Sequence, residues 1–237
     1  AFPDDHNITS MAAAGQSIWA VGYNEMIVQR IGSEWVQKNK ELKADSILFS
    51  VHFTSEKKGL AVGKFGIARQ TFDGDTWNEV DLGVQDANLY QIKSDIKGNW
   101  YIAGEFGNLL KLSGDMAPLK KFGTSGRDKG TYFGLEVLGV DDCIAYGLQG
   151  RIIHFKNDTE TVVLNPFAHS LYASLKIGSD VLLFGAEGTI LLYRNGSLID
   201  KSIKDKVAII DAIVFNDMLF LGTVSGIRTL PLAEILK

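Results

Sequence analysis

The chain holds a single cysteine, Cys143, and no apolar run approaches the roughly eighteen residues of a membrane span. One thiol excludes an internal disulfide and does not make a zinc site. That favours a reducing, cytoplasmic setting; a periplasmic or secreted one would follow if a leader was removed before Ala1. An excess of positive charge is missing too. Twenty-four Lys and Arg stand against 28 Asp and Glu, a net charge of −4, so no nucleic-acid partner is expected. The four histidines, His6, His52, His154 and His169, show no metal-ligand spacing. They are expected to be solvated or satisfied, and Cys143 to be a small core residue. No G-x-S-x-G nucleophile elbow occurs. The six arginines, Arg30, Arg69, Arg127, Arg151, Arg194 and Arg228, sit at differing offsets rather than converging as a sialidase-like carboxylate clamp would require. The sequons at Asn7, Asn157 and Asn195 matter only in a secreted eukaryotic setting. No enzyme and no cofactor is expected.

What the sequence does contain is a repeat. Three apolar residues followed by glycine recur in "WAVGYNE" from Trp19, "LAVGKFG" from Leu60, "YIAGEFG" from Tyr101, "IAYGLQG" from Ile144, "LLFGAEG" from Leu182 and "LFLGTVSG" from Leu219. The first glycines are Gly22, Gly63, Gly104, Gly147, Gly185 and Gly222, at intervals of 41, 41, 43, 38 and 37 residues. Six units of about 40 residues match the period of propeller blades.

An unbroken apolar triplet marks a strand buried on both faces, as a middle strand between stacked blades is. A parallel sheet would read the same way but needs crossover helices, and no capped amphipathic helix lies between the repeats. Strand-like stretches precede each later motif instead: 46–53, 87–95, 132–139, 169–178 and 207–215. Turn signals at Asp73-Gly74, Ser113-Gly114 and Asn195-Gly196 follow. The second glycines, Gly66, Gly107, Gly150 and Gly188, suit a two-residue hairpin that needs positive φ. Unit one has Glu25 there with Asn24 beside it, and unit six has one extra residue before Gly226. The expected fold is all-β: one domain over residues 1–237, a six-bladed rather than seven-bladed β-propeller of four-stranded antiparallel blades. The last blade lacks a clear fourth strand, and the opening residues "AFPDD" (1–5), ahead of the first strand, are expected to complete it.

"TFDGDTW" (71–77) resembles a degenerate Asp-box turn of the bacterial neuraminidase type. With "AVGKFGIARQ" before it, the segment resembles the repeat of the photosystem II assembly and stability factor family of seven-bladed propellers. The glycine motif extends the resemblance over all six units; the Asp-Gly…Trp turn covers unit two only, with Trp35 as a remnant in unit one. The resemblance implies a propeller with a protein-assembly role and carries over no functional residue. Asp73 reads as a turn cap, since "DGD" is too short for a calcium loop.

"GLAVGKFG" (59–66) is not a dinucleotide loop, because the glycine spacing is wrong and no helix follows. Binding surfaces are the better expectation, since loops on a rigid scaffold carry function. The glycine-turn tips present Tyr23 and Asn24, Lys64 and Phe65, Glu105 and Phe106, Leu148 and Gln149, Ala186 and Glu187, Thr223 and Val224. Three aromatic tips match interface composition, and the competing reading folds those rings over the blade core. Residues 113–131 read as a long polar connection made basic by Lys120, Lys121, Arg127 and Lys129. The expected function is a monomeric, non-catalytic module that binds another protein in interaction or assembly. Two alternatives stand beside it: a bacterial immunity protein that neutralises a cognate toxin, and a glycan-binding or sialidase-like glycoside hydrolase.

Overall fold

A computed structural model of the chain describes residues 7–39, 42–114, 120–122 and 130–237. Every apolar triplet forms the second strand of a small antiparallel sheet whose strands follow chain order. Blade 1 is β1 (Ile8–Ala14), β2 (Ser17–Gly22), β3 (Ile27–Ile31) and β4 (Glu34–Gln37). Blade 2 is β5 (Leu48–Phe53), β6 (Gly59–Gly63), β7 (Ala68–Thr71) and β8 (Asn78–Glu79). Blade 3 is β9 (Leu89–Ser94), β10 (Trp100–Gly104), β11 (Leu109–Leu112) and β12 (Lys120–Phe122). Blade 4 is β13 (Tyr132–Gly139), β14 (Asp142–Gly147), β15 (Ile152–Lys156) and β16 (Thr159–Val162). Blade 5 is β17 (Leu171–Ile177), β18 (Asp180–Gly185), β19 (Ile190–Arg194) and β20 (Ser197–Asp200). Blade 6 has three strands, β21 (Ile209–Phe215), β22 (Met218–Thr223) and β23 (Gly226–Pro231), followed by the short helix α1 (Leu232–Ile235). The fold is a six-bladed β-propeller. The chain divides into two compact units, residues 1–129 with blades 1–3 and residues 130–237 with blades 4–6.

In the first unit the triplets of β2, β6 and β10 are fully enclosed. Leu60 and Val62 join Trp100, Ile102 and Leu89 in one core between blades 2 and 3. Trp19 of blade 1 stacks on Phe53 of blade 2, their centroids 4.9 Å apart, and Trp77 meets both rings edge-on. The tryptophan of the Asp-box-like turn is thus an inter-blade packing residue. Asp73 caps that turn: its Oδ1 accepts the amides of Asp75 and Thr76 at 2.8 and 2.7 Å. Those two hydrogen bonds, the Thr76 one first, hold its carboxyl well below the usual carboxylate range.

In the second unit the triplets of β14 and β18 are likewise enclosed, and Cys143 is buried at the start of the first. β22 differs: Leu219 and Leu221 are buried against blade 5 while Phe220 between them is only half-buried. Its alternation corrects the expectation of burial on both faces for this strand: Phe220 leaves the apolar triplet half-buried at its centre. Residues 1–6 lie outside the described residues. The stretch expected to complete blade 6 falls among them; Ile8 opens β1, where it pairs with Gly22.

The first glycine of the motif answers to close approach. A Cβ on Gly63 would stand 2.0 Å from the Ile47 carbonyl oxygen, and the same clash recurs at Gly22, Gly147 and Gly185. The backbone there is extended (φ −164 at Gly63), so the constraint is space and not conformation.

Candidate functional site

Five of the six tips are two-residue turns with positive φ at both central residues, the type I′ pattern that matches strand twist. The pairs are Asn24–Glu25, Phe65–Gly66, Phe106–Gly107, Gln149–Gly150 and Glu187–Gly188. In the sixth, Thr223 pairs with Gly226 around Val224–Ser225. That loop therefore keeps two residues; only the positive φ has moved, to Gly226 at 115°.

In the first unit the three aromatic tips separate into two behaviours. Phe106 packs against the blade 2–3 core, and Glu105 is fully engaged: its carboxylate accepts the Asn88 amide at 2.8 Å and the Tyr90 hydroxyl at 2.9 Å. Both serve structure. Tyr23 and Phe65, by contrast, remain 44% and 59% exposed. The Lys64 ammonium lies 5.0 Å from the Phe65 ring centroid and donates to the Asp45 carbonyl at 3.0 Å. The tip backbone is fastened to the next blade: the Phe65 amide donates to Asn88 Oδ1 at 3.1 Å, and the Glu105 amide donates to the Asn88 carbonyl at 2.9 Å. Asn24 accepts the Lys43 amide at 2.9 Å on its carbonyl. Tyr23, Asn24, Lys64 and Phe65 thus form the presented part of the turn surface.

The basic connection is shorter than expected. Lys120 and Lys121 belong to β12, the outer strand of blade 3, paired with Lys111 and Leu110. A three-residue edge strand leaves no alternating pattern to read, so its sequence looks like a polar connection. Arg127 and Lys129 lie outside the described residues.

A groove of about 500 Å³ runs beside the first tip between blades 1 and 2. Its floor is an ion pair that no motif or spacing marks. Glu25, at the tip position other blades give to glycine, is buried and accepts from Arg69 Nε and Nη2 at 2.7 and 2.6 Å. Arg69 is itself buried, and its Nη1 reaches outward to Glu79 Oε2 at 2.9 Å. The Arg69 charge holds the Glu79 carboxyl below its usual range. Lys38 pairs with Asp75 at 2.6 Å and Lys43 with Glu79 at 3.6 Å along the rim. Trp77 also lines the groove.

In the second unit Leu148 is 40% exposed, and Gln149 and Glu187 are exposed. Ser170 fastens these tips as Asn88 does in the first unit: its hydroxyl accepts the Gln149 amide at 3.1 Å and its carbonyl the Ala186 amide at 2.9 Å. Between blades 4 and 5 the Tyr193 hydroxyl contacts His154 Nδ1 at 2.8 Å, and His154 Nε2 contacts Asp142 Oδ1 at 2.7 Å. With Nε2–H directed at the carboxylate, Nδ1 is the face left to accept a hydrogen bond from the Tyr193 hydroxyl. Burial alone would raise the Asp142 carboxyl; hydrogen bonds from Lys156 and His154 outweigh it and hold the group low. Burial pushes the Tyr193 phenol up, away from an ionised nucleophile. The array is a satisfied inter-blade clasp. The other described histidines are also engaged, His52 with Ser94 at 2.9 Å and His169 with Thr189 at 3.0 Å. Arg69, Arg194 and Arg228 each pair with their own carboxylates, on Glu25, Asp180 and Asp205.

No family model and no curated protein matches the chain. Solved structures do resemble it. Virginiamycin B lyase from Staphylococcus aureus superposes with a TM-score of 0.79 at 9% identity, over 94% of this chain and 84% of that one. YCF48 bound to D1 peptide gives 0.76 at 16% identity, over 97% and 79%. The C-terminal WD40 domain of Sif2 gives 0.72 at 11%, over 94% and 68%. The class these define is the β-propeller. No helix among the described residues is long and apolar enough to cross a membrane.

Proposed function

We propose that this propeller is a non-catalytic protein-binding module, acting in interaction or assembly through the turn surface of Tyr23, Asn24, Lys64 and Phe65. The observation that carries the reading is Phe65. A large apolar ring stands in water on a turn whose backbone (φ 54, ψ 37) is sterically disfavoured for a bulky side chain. The equivalent ring one blade on, Phe106, folds onto the core, so exposure is not imposed by the turn itself. Asn88 holds the backbone beneath Phe65, which reduces the ordering cost of docking against it. A structural neighbour, YCF48, has been captured with a bound peptide, which supports peptide recognition by this architecture. Toxin neutralisation would be one form of the same activity, with a toxin as the partner.

The test is photocrosslinking. A benzophenone amino acid replaces Phe65 in one protein and Val162, exposed on the outer strand of blade 4, in another. The expected result is a discrete adduct from position 65 alone. Equal adducts from both positions, or none from 65, would contradict the assignment.

A further inference from the structure

We propose that the groove between blades 1 and 2 receives an acidic side chain, Glu or Asp, from the bound protein segment, and that Glu79 occupies that place until the segment arrives. The identity of the occupant as part of a protein rests on the proposed function; the carboxylate chemistry rests on the groove itself.

The guanidinium of Arg69 has two unlike sides. Its inner edge, Nε and Nη2, is locked to Glu25 Oε2, and the side chains of this pair are only 10% and 4% exposed. Its outer nitrogen, Nη1, donates to the Ala68 carbonyl at 3.2 Å and to Glu79 at 2.9 Å. The Glu79 side chain is 73% exposed and sits on β8, a strand of two residues. Buried pairs with several hydrogen bonds are hard to break, whereas water-exposed carboxylates are screened and leave easily. Rotation of Glu79 into solvent would therefore uncover Nη1 and Lys43 together, and these favour a carboxylate. The groove, about 500 Å³ and walled partly by Trp77, has room for a side chain with its flanking backbone. Because the resident carboxylate is itself a glutamate side chain, the geometry fits a side chain rather than a chain terminus. The groove adjoins the first tip, since Glu25 and Asn24 belong to one turn and Lys43 donates to the Asn24 carbonyl. A segment docked on Phe65 and Tyr23 could thus place an acidic residue there.

The experiment needs no natural partner. The whole chain, with labelled nitrogen, is titrated with acetyl-Gly-Glu-Gly-amide while the Arg69 Nε–H and Trp77 Nε1–H signals are followed. A glutamine version and acetyl-Gly-Gly-Gly with a free terminus are run as the other arms. Saturable shifts are expected with the glutamate peptide and none with the glutamine one. Glu79→Ala should tighten binding about fourfold, the gain from removing a group that holds the site most of the time. Unchanged or weaker binding by Glu79→Ala overturns the proposal, as does an equal response to the glutamine peptide. Equal affinity for the free-terminus peptide overturns the side-chain assignment. Crosslinking at position 65 is scored separately, so a failure in the groove is distinguishable from a failure of the docking surface.

Discussion

Asn88 receives the Phe65 amide on its side-chain oxygen at 3.1 Å, binding the tip of blade 2 to the lead-in of blade 3. Its own carbonyl accepts the Glu105 amide, and its side-chain nitrogen reaches the Glu105 carboxylate at 3.2 Å. Asn88→Ala removes the side-chain bonds and leaves the carboxylate short of a donor. A loss of about 2 kcal/mol is expected, which lowers the thermal midpoint by roughly 4–8 °C for a chain of this size. Calorimetry checks it; an unchanged midpoint would mean that the tips are not fastened this way.

Gly63 and Gly222 occupy the same place in the motif but not the same space. A Cβ on Gly63 meets the Ile47 oxygen at 2.0 Å, whereas on Gly222 the nearest atom, the Asp211 oxygen, is 3.5 Å away. Gly63→Ala should cost about 3 kcal/mol. Gly222→Ala should stay within about 1 kcal/mol of the parent. Urea unfolding of both variants decides it, and equal losses would contradict the packing account.

His52 gives stability a pH dependence. Burial, with a smaller contribution from Lys93, lowers its pKa to about 4, so it is neutral in the fold and protonates more readily when unfolded. The unfolded chain binds the extra proton between the two pKa values, so stability is complete above about 6.5 and falls as pH drops toward about 4. The loss amounts to about 3 kcal/mol. His52→Gln retains a partner for Ser94 and should flatten the profile over that window. Parallel profiles for the two proteins would refute the assignment.

Arg69 and Glu79 should differ sharply. Arg69→Gln strands the buried Glu25 carboxylate and should cost about 3–5 kcal/mol. Glu79→Gln loses only a water-exposed pair and should cost less than about 1 kcal/mol. Comparable losses by denaturant titration would mean that Glu79 is a structural member of the pair.

The blades were legible because strand burial and turn geometry leave one-dimensional marks. The triplet before Gly63 and the Phe65–Gly66 turn are visible without knowing any neighbour. The site was less legible because its contacts cross between blades. Arg69 meets Glu25 44 positions away and Tyr193 meets His154 39 away, close to one repeat. Periodicity says which positions face each other, but not that a glutamate in a glycine place will find an arginine. The same limit explains why Phe65 and Phe106 read alike: their difference lies in what packs against each ring. β12 escaped because three residues at an edge show no alternation.

The exposed turn surface of the first unit is the proposed protein-binding face. It is tested most directly by comparing partner recovery by the parent chain and by Phe65→Ala from the same extract, with thermal midpoints measured alongside. At least a tenfold drop in the main recovered protein is expected, about the loss of an interface anchor worth more than 1 kcal/mol, with an unchanged midpoint. Undiminished recovery of that protein by a folded Phe65→Ala chain would contradict it.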